Sequence, residues 1–281
     1  MNYFYLPLEE WTNQFVHDWR IPNFRGIFRL ISDRIEVILD LFQTILLWIP
    51  PELFTLAVAI LAWRTAGKRV ALFVLIGFLF IGSVNLWTEA MQLLAIVLSA
   101  SFFSIVVGVP LGILAAKKEW VNAIVRPILD FMQTLPSFVY LIPTAMLLGL
   151  GAVPAVISTF IFATPPAVRL TTLGIRQVPA DVVEAARAFG STSWQMLIKV
   201  QLPLAVPSIM AGINQTILLS LSMAVIAAMI GSPGLGSVVL SALTSVNVGK
   251  GVIGGLGIVI LAIVLDRITA SLGVKKNKQG V

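Results

Sequence analysis

From residue 44 onward the chain alternates long apolar stretches with short polar ones. Apolar runs cover residues 44–63, 70–87, 90–116, 124–149, 152–170, 204–230 and 251–272. As an α-helix, a run of about 20 apolar residues crosses the ~30 Å hydrocarbon layer of a bilayer. Lipid leaves backbone polar groups unsatisfied, so such runs are expected as helices. The pattern predicts an all-α integral membrane protein of about seven spans. Ahead of them, Phe24, Ile27, Phe28, Ile31, Ile35, Ile38, Leu39 and Phe42 recur at helical spacing. Arg25, Arg29, Asp33, Glu36 and Asp40 fall on other faces, which predicts an amphipathic helix lying on the membrane or packed on its flank. Residues 1–43 are read as this interfacial, extracytoplasmic region and 44–87 as two accessory spans. Residues 88–272 then form the main membrane unit and 273–281 a basic cytoplasmic tail.

One segment breaks the alternation. Between the spans ending at 170 and beginning at 204 lies a polar stretch, residues 171–203, which reads as a loop with a docking surface. Asp181 and Glu184 have capping-box spacing, so a short helix is expected to start at Asp181. Ala185 and Ala186 give that helix a flat side. Gly190 can adopt positive φ and turn the chain into a second helix, with Ser191 as its cap. Val200, Leu202 and Pro203 lead back to the bilayer.

Charge orients the spans. With 171–203 inside, alternation places Arg64, Lys68 and Arg69 inside, then Lys117, Lys118 and Arg126, and then Arg169, Arg176, Arg187 and Lys199. Arg267, Lys275, Lys276 and Lys278 follow at the end, whereas Lys250 is the one basic residue on outside connections after the first span. This is a positive-inside distribution. The N-terminal side conflicts internally. Through Glu52 it carries seven acids and four arginines, which suits the outside, but Pro50-Pro51-Glu52 falls in the middle of the run 44–63. A carboxylate at that depth is costly and prolines break helices, so a re-entrant or displaced segment is the competing expectation. The first residues lack a signal-peptide pattern.

Composition removes several classes. The chain is 58% hydrophobic and 11% charged, which excludes an ordinary soluble domain. The absence of cysteine excludes disulfides and thiolate chemistry, and a single histidine, His17, excludes a multi-histidine metal site. The net charge of +6 sits at span ends rather than in a patch, which argues against nucleic acid. Gly-x-x-x-x-Gly-Lys-[Ser/Thr], His-Glu-x-x-His and Gly-x-Ser-x-Gly are all missing, so no enzymatic activity is expected of this chain and any ATP is expected on a partner. No metal or other cofactor is expected on the chain. Gly108-x-x-x-Gly112 and Gly251-x-x-x-Gly255 permit close helix contact. Arg126 and Asp130, four apart, are placed to neutralise one another, and Asp266-Arg267 to end a helix at the inner surface.

The ordered series Glu184-Ala185-Ala186, Gly190, Val200 and Leu202-Pro203 resembles the coupling motif of ABC importer permeases, with valine where isoleucine is commonest. Asp130-Phe131-Met132-Gln133-Thr134-Leu135-Pro136 and Gln177-Val178-Pro179-Ala180-Asp181 are similar to the glycine betaine/proline betaine (osmoprotectant) permeases. So are Gln201-Leu202-Pro203-Leu204-Ala205, Ala211-Gly212-Ile213-Asn214-Gln215-Thr216 and Ile260-Leu261-Ala262-Ile263-Val264-Leu265-Asp266-Arg267. The resemblance covers about residues 86–270. It implies a type I ABC importer transmembrane domain in a bacterial cell membrane, with Asp181, Glu184, Ala185, Ala186, Gly190, Leu202 and Pro203 coupling to an ATPase. It further implies two ATPase copies, an extracytoplasmic substrate-binding protein and two copies of this chain.

Polar groups at depth are candidates for a translocation pathway: Gln133 and Thr134 in one span, Asn214, Gln215, Thr216, Ser220 and Ser222 in another. Phe131, Phe138 and Tyr140 could add cation–π contacts to a trimethylammonium solute. Interhelical hydrogen bonding and plain packing are the competing roles for the same residues. A secondary transporter driven by an ion gradient and a structural scaffold remain as alternatives. The former is expected to carry deep paired acids, whereas here the acids cluster at span ends.

Overall fold

A proline both lacks an N–H and pushes the residue before it toward extended backbone. Two such steps shape the molecule. The computed structural model describes residues 21–274 together with Pro7, Glu10, Trp11 and Gln14. His17 and the tail lysines Lys275, Lys276 and Lys278 lie outside the described residues, as does most of 1–20. Among the described residues the chain forms helices and no strand. The main helices are α1 (Ile21–Trp48), α2 (Pro51–Ala66), α3 (Lys68–Ser83), α4 (Trp87–Lys117), α5 (Glu119–Thr134) and α6 (Leu141–Leu148). They are followed by α7 (Ala152–Arg176), α8 (Ala180–Ala188), α9 (Leu202–Ile226), α10 (Leu235–Thr244) and α11 (Val248–Val274).

Four helical segments among the described residues are long and apolar enough to cross a membrane, or up to six if each of two bent pairs counts as one span. This replaces the expected seven. The run 44–63 is not a continuous helix: α1 and α2 meet at 101°. Pro50 is extended (φ −53°, ψ 140°) because Pro51 follows it, and Pro51 starts α2, where a missing N–H costs nothing. Glu52 therefore lies exposed in a first helical turn. The run 124–149 bends by 109° in the same way. Leu135, before Pro136, is extended at ψ 135°, and a short 3₁₀ turn, Ser137–Tyr140, leads into α6. The run 70–87 becomes α3, whose 16 residues reach only about 24 Å. Pro110, Pro127, Pro165, Pro166 and Pro207, by contrast, lie inside helices that continue through them.

The core is built on α4, α7 and α9. Gly108 faces Ala167 and Gly112 faces Thr171, so α4 and α7 run parallel; Gly174 faces Ser208 and Gly212 faces Leu170, so α9 returns antiparallel. Lipid is as apolar as leucine, so close packing rather than the hydrophobic effect holds such helices together. The second small-residue pair does not act this way. A Cβ on Gly255 would meet nothing within 4 Å, and one on Gly251 would make only ordinary contact with Ala242. Around this core, α2 and α3 pack on α11, where a Cβ on Gly77 would fall 2.6 Å from Ile260. On α1, Ile35, Leu39 and Leu46 are buried against the bundle while Asp33, Glu36 and Asp40 are exposed.

Candidate functional site

The parallel ends of α4 and α7 carry a helical elbow made of the residues that read as a loop. Helix α7 runs on to Arg176, and the return begins at Ser193, so most of 171–203 is helical. Val178-Pro179 sets the start of α8. Pro179 is the residue before its first turn (φ −53°, ψ 136°), and Asp181 is one residue too far in to cap it. The expected Asp181–Glu184 box is thus absent; Asp181 instead places a negative charge in the first turn, where the helix dipole favours it.

The turn after α8 is a Schellman motif. Gly190 N–H donates to Arg187 C=O (2.9 Å) and Ser191 N–H to Ala186 C=O (3.1 Å), with Gly190 at φ +78°. The capping box belongs to the next helix and to Thr192 rather than Ser191. Thr192 N–H donates to Gln195 Oε1 (2.9 Å) and Gln195 N–H to Thr192 Oγ1 (3.3 Å). From there Met196–Gln201 forms a widened π-type turn that merges with α9. Pro203 supplies the reason, since it cannot donate to the preceding turn and its ring needs room there. Leu202 packs beside Ile175, Leu197 and Ala205, so it belongs to the elbow's root rather than to its face.

Two contacts lock the ends of α4, α5 and α7 together, and a third ties the elbow to them. Arg176 Nη2 donates to Ala115 C=O (2.9 Å) and pairs with Glu119 (3.0 Å), while Lys117 Nζ donates to Ser193 C=O (3.1 Å). The Ala115 carbonyl in the last turn of α4 is thereby satisfied by a cation, which also suits the helix dipole. Between elbow and bundle lies an open cleft of 540 Å³ lined in part by Lys117, Arg176, Glu184, Arg187 and Gln201. Glu184 makes no ion pair among the described residues. Replacing Arg176 with alanine is expected to lower stability by about 1–2 kcal/mol, mostly from the lost charge-assisted bond, because Glu119 is largely exposed. Thermal unfolding of the purified protein measures it.

No side chain of α8 is buried. Two aromatic residues that sequence reasoning passed over flank Gly190: Phe189 is 91% exposed and Trp194 67% exposed. Their exposure is a tertiary property, although their nearness to the turn glycine was visible in the text. Asp181, Glu184, Ala185 and Gly190 are exposed on the same elbow, and Ala186 is half-buried.

The pathway candidates do not form one group. On α9, Gln215 and Ser222 share an exposed face, while Thr216 and Ser220 point into the protein, buried and without a hydrogen-bond partner. Asn214 Nδ2 donates to Asp266 Oδ1 (3.0 Å), and Thr269 donates to Asn214, joining α9 to α11. Asp266 is consequently an interior position of α11, which continues to Val274, rather than a helix end. On the bent α5–α6 pair, Gln133, Thr134, Phe131 and Phe138 are exposed. Tyr140 turns inward; its hydroxyl donates to Met132 C=O across the bend and its ring meets Phe162 edge-on. Asp130 pairs with Arg169 of α7 instead of Arg126.

Residues 108–276 match the family model for the binding-protein-dependent transport system inner membrane component. The chain belongs to this family. Its relatives include the Bacillus subtilis glycine betaine transport system permease protein OpuAB, 52% identical over 98% of this chain and 97% of the relative. The Escherichia coli glycine betaine/proline betaine transport system permease protein ProW is 47% identical over 98% of this chain and 77% of its own length. The Listeria monocytogenes glycine betaine/carnitine transport permease protein GbuB is 45% identical over 98% of both chains. The inward-facing MetNI methionine ABC transporter matches 67% of this chain and 94% of the solved one at a TM-score of 0.62 and 21% identity, which shows a shared type I fold. The permease is therefore a multi-pass membrane subunit of an ABC importer, a transport component and not an enzyme, and ATP hydrolysis resides on a separate subunit.

Proposed function

We propose that this permease imports glycine betaine or a related quaternary ammonium osmoprotectant across a bacterial cell membrane. Relatives at about half identity along almost the whole chain carry those solutes in their names, and this observation supports the reading most. The elbow and the C-terminus face the cytoplasm, in line with the inward bias of lysine and arginine. Two copies of the chain pair in the membrane, each elbow seats in a cleft of one of two ATPase subunits, and a solute-loaded binding protein docks outside.

In this reading ATP-driven closure of the ATPases pushes on α8, and Arg176 and Lys117 pass that movement to the ends of α7 and α4. A rigid elbow suits the task, because the Schellman turn and the Thr192–Gln195 box hold its two arms at a set angle. Phe189 and Trp194 are its apolar anchors, and Glu184 meets a basic residue of the ATPase. Gln133, Thr134, Phe138 and Gln215 line a weakly binding passage between the two copies. Tyr140, Asn214, Thr216 and Ser220 shape its walls from behind.

The test is uptake of labelled glycine betaine into proteoliposomes holding the permease, its ATPase and its binding protein. Uptake that requires ATP and ignores added proton or sodium gradients is expected; gradient-driven uptake without ATP would overturn the assignment. Replacing Phe189 and Trp194 together with alanine is expected to weaken recovery of the ATPase with the permease by ~30-fold or more, as loss of buried aromatic anchors does. Co-purification at graded salt reads this out.

A further inference from the structure

At the end of the molecule away from the elbow, α10 and α11 form a hairpin whose tip is apolar. The two helices are antiparallel: Gly257 meets Leu235, Gly254 meets Val238 and Val239, and Gly251 meets Ala242. The base of the hairpin sits by the first turns of α4, where a Cβ on Gly234 would fall 2.9 Å from the Leu93 amide. From that level the pair runs on for about 13 Å, while α4 ends at Trp87. Every residue from 243 to 250 is exposed.

The tip is rigid. Asn247 N–H donates to Ala242 C=O (2.8 Å) and Val246 N–H to Leu243 C=O (3.3 Å), another Schellman turn. Asn247 Oδ1 then caps the Lys250 N–H (3.0 Å), and Lys250 Nζ donates to Ser241 Oγ (2.9 Å). The position that calls for glycine holds Val246 at φ +53°, where a β-branched side chain is strained. That side chain is 84% exposed, beside Leu243 and Val248 at 75% each. An open apolar groove of 390 Å³, floored by Val239 and Ala242, runs beneath them. Strain and exposure thus coincide at one residue, with no compensating contact among the described residues. Hydrocarbon does not account for the patch, because Ser245, Asn247 and Lys250 share its tip.

We infer that this hairpin tip docks the substrate-binding protein, with Leu243, Val246 and Val248 as its anchors. The inference rests on the proposed orientation. A family that depends on a binding protein needs a contact on the face opposite the ATPase, and this tip is a preorganised, exposed apolar feature there. Lys250 and Asn247 supply a polar rim.

The test measures ATP hydrolysis by the reconstituted permease–ATPase complex against the concentration of its binding protein loaded with glycine betaine. Val246→Asp is expected to raise the half-saturating concentration by ~10-fold or more at an unchanged maximal rate. Val246→Gly carries the decisive signature: thermal stability rises because φ +53° suits glycine, yet the half-saturating concentration also rises because the anchor is gone. Unchanged half-saturation in both variants overturns the inference. Separation of the two permease copies in Val246→Asp also overturns it, since the tip would then join copy to copy. No stimulation of the unaltered complex by loaded binding protein would fail the importer reading itself, a separate result.

Discussion

A Gly190→Trp permease is expected to insert and fold normally yet lose at least ~30-fold in ATP-driven uptake. Gly190 sits at φ +78° in the Schellman turn, and a Cβ there would meet nothing within 4 Å. The bundle therefore has room for the new side chain, and no core contact changes. Two local effects follow. An L-residue at that φ costs about 1–2 kcal/mol, which loosens the angle between α8 and the following helix. The indole also projects from the elbow between Phe189 and Trp194, on the surface assigned to the ATPase. Gly190→Ala separates the two, because it carries the strain without the bulk, and it is expected to retain most uptake. Wild-type transport by a correctly inserted Gly190→Trp protein would remove the elbow from the coupling role.

Gly112→Leu is expected to fail earlier, at folding. A Cβ on Gly112 would stand 2.7 Å from both the Val168 carbonyl oxygen and the Thr171 Cβ. The carbonyl is helix backbone and cannot rotate aside, so α4 and α7 must separate. Overpacking costs about 1–3 kcal/mol where side chains can yield, and more is expected here. The Thr172 Oγ1 bond to Gly112 C=O (3.0 Å) would be lost with it, together with the alignment that lets Arg176 reach Ala115. The expected readout is aggregated or proteolysed protein, with little monodisperse material in detergent. Gly255→Leu is the control, since its Cβ points into open space and the protein should purify normally. Equal behaviour of the two variants would show that the α4–α7 crossing is not the close contact described.

The position of the elbow was largely legible in the sequence. Glu184, Ala185, Ala186 and Gly190 lie on it as expected, and the positive φ at Gly190 follows from glycine's freedom in a left-handed turn. The cap assignments failed because neighbours compete for the same role. Pro179 holds the position before α8 and so displaces Asp181 inward, and Thr192 has Gln195 three residues on, which Ser191 lacks. Ion pairs failed for a related reason. The Arg126–Asp130 spacing permits contact along one helix, but α7 brings Arg169 closer.

Composition and period by themselves determined that this chain is helical and membrane-embedded. Those properties are sums over many residues, and no local error reverses them. Tertiary structure alone decided which prolines bend the chain. Pro51 and Pro136 sit at breaks where successive helices turn by 101° and 109°, whereas Pro165 and Pro166 stay inside α7, buried beside α4 and α9. The local chemistry of these prolines is the same. What differs is the packing on either side, which either holds the helix straight against its missing hydrogen bonds or leaves it free to turn. Packing also decided the fates of the polar residues on α9. Successive residues on a helix point about 100° apart, so Asn214, Gln215 and Thr216 face a partner carboxylate, open surface and sealed interior in turn.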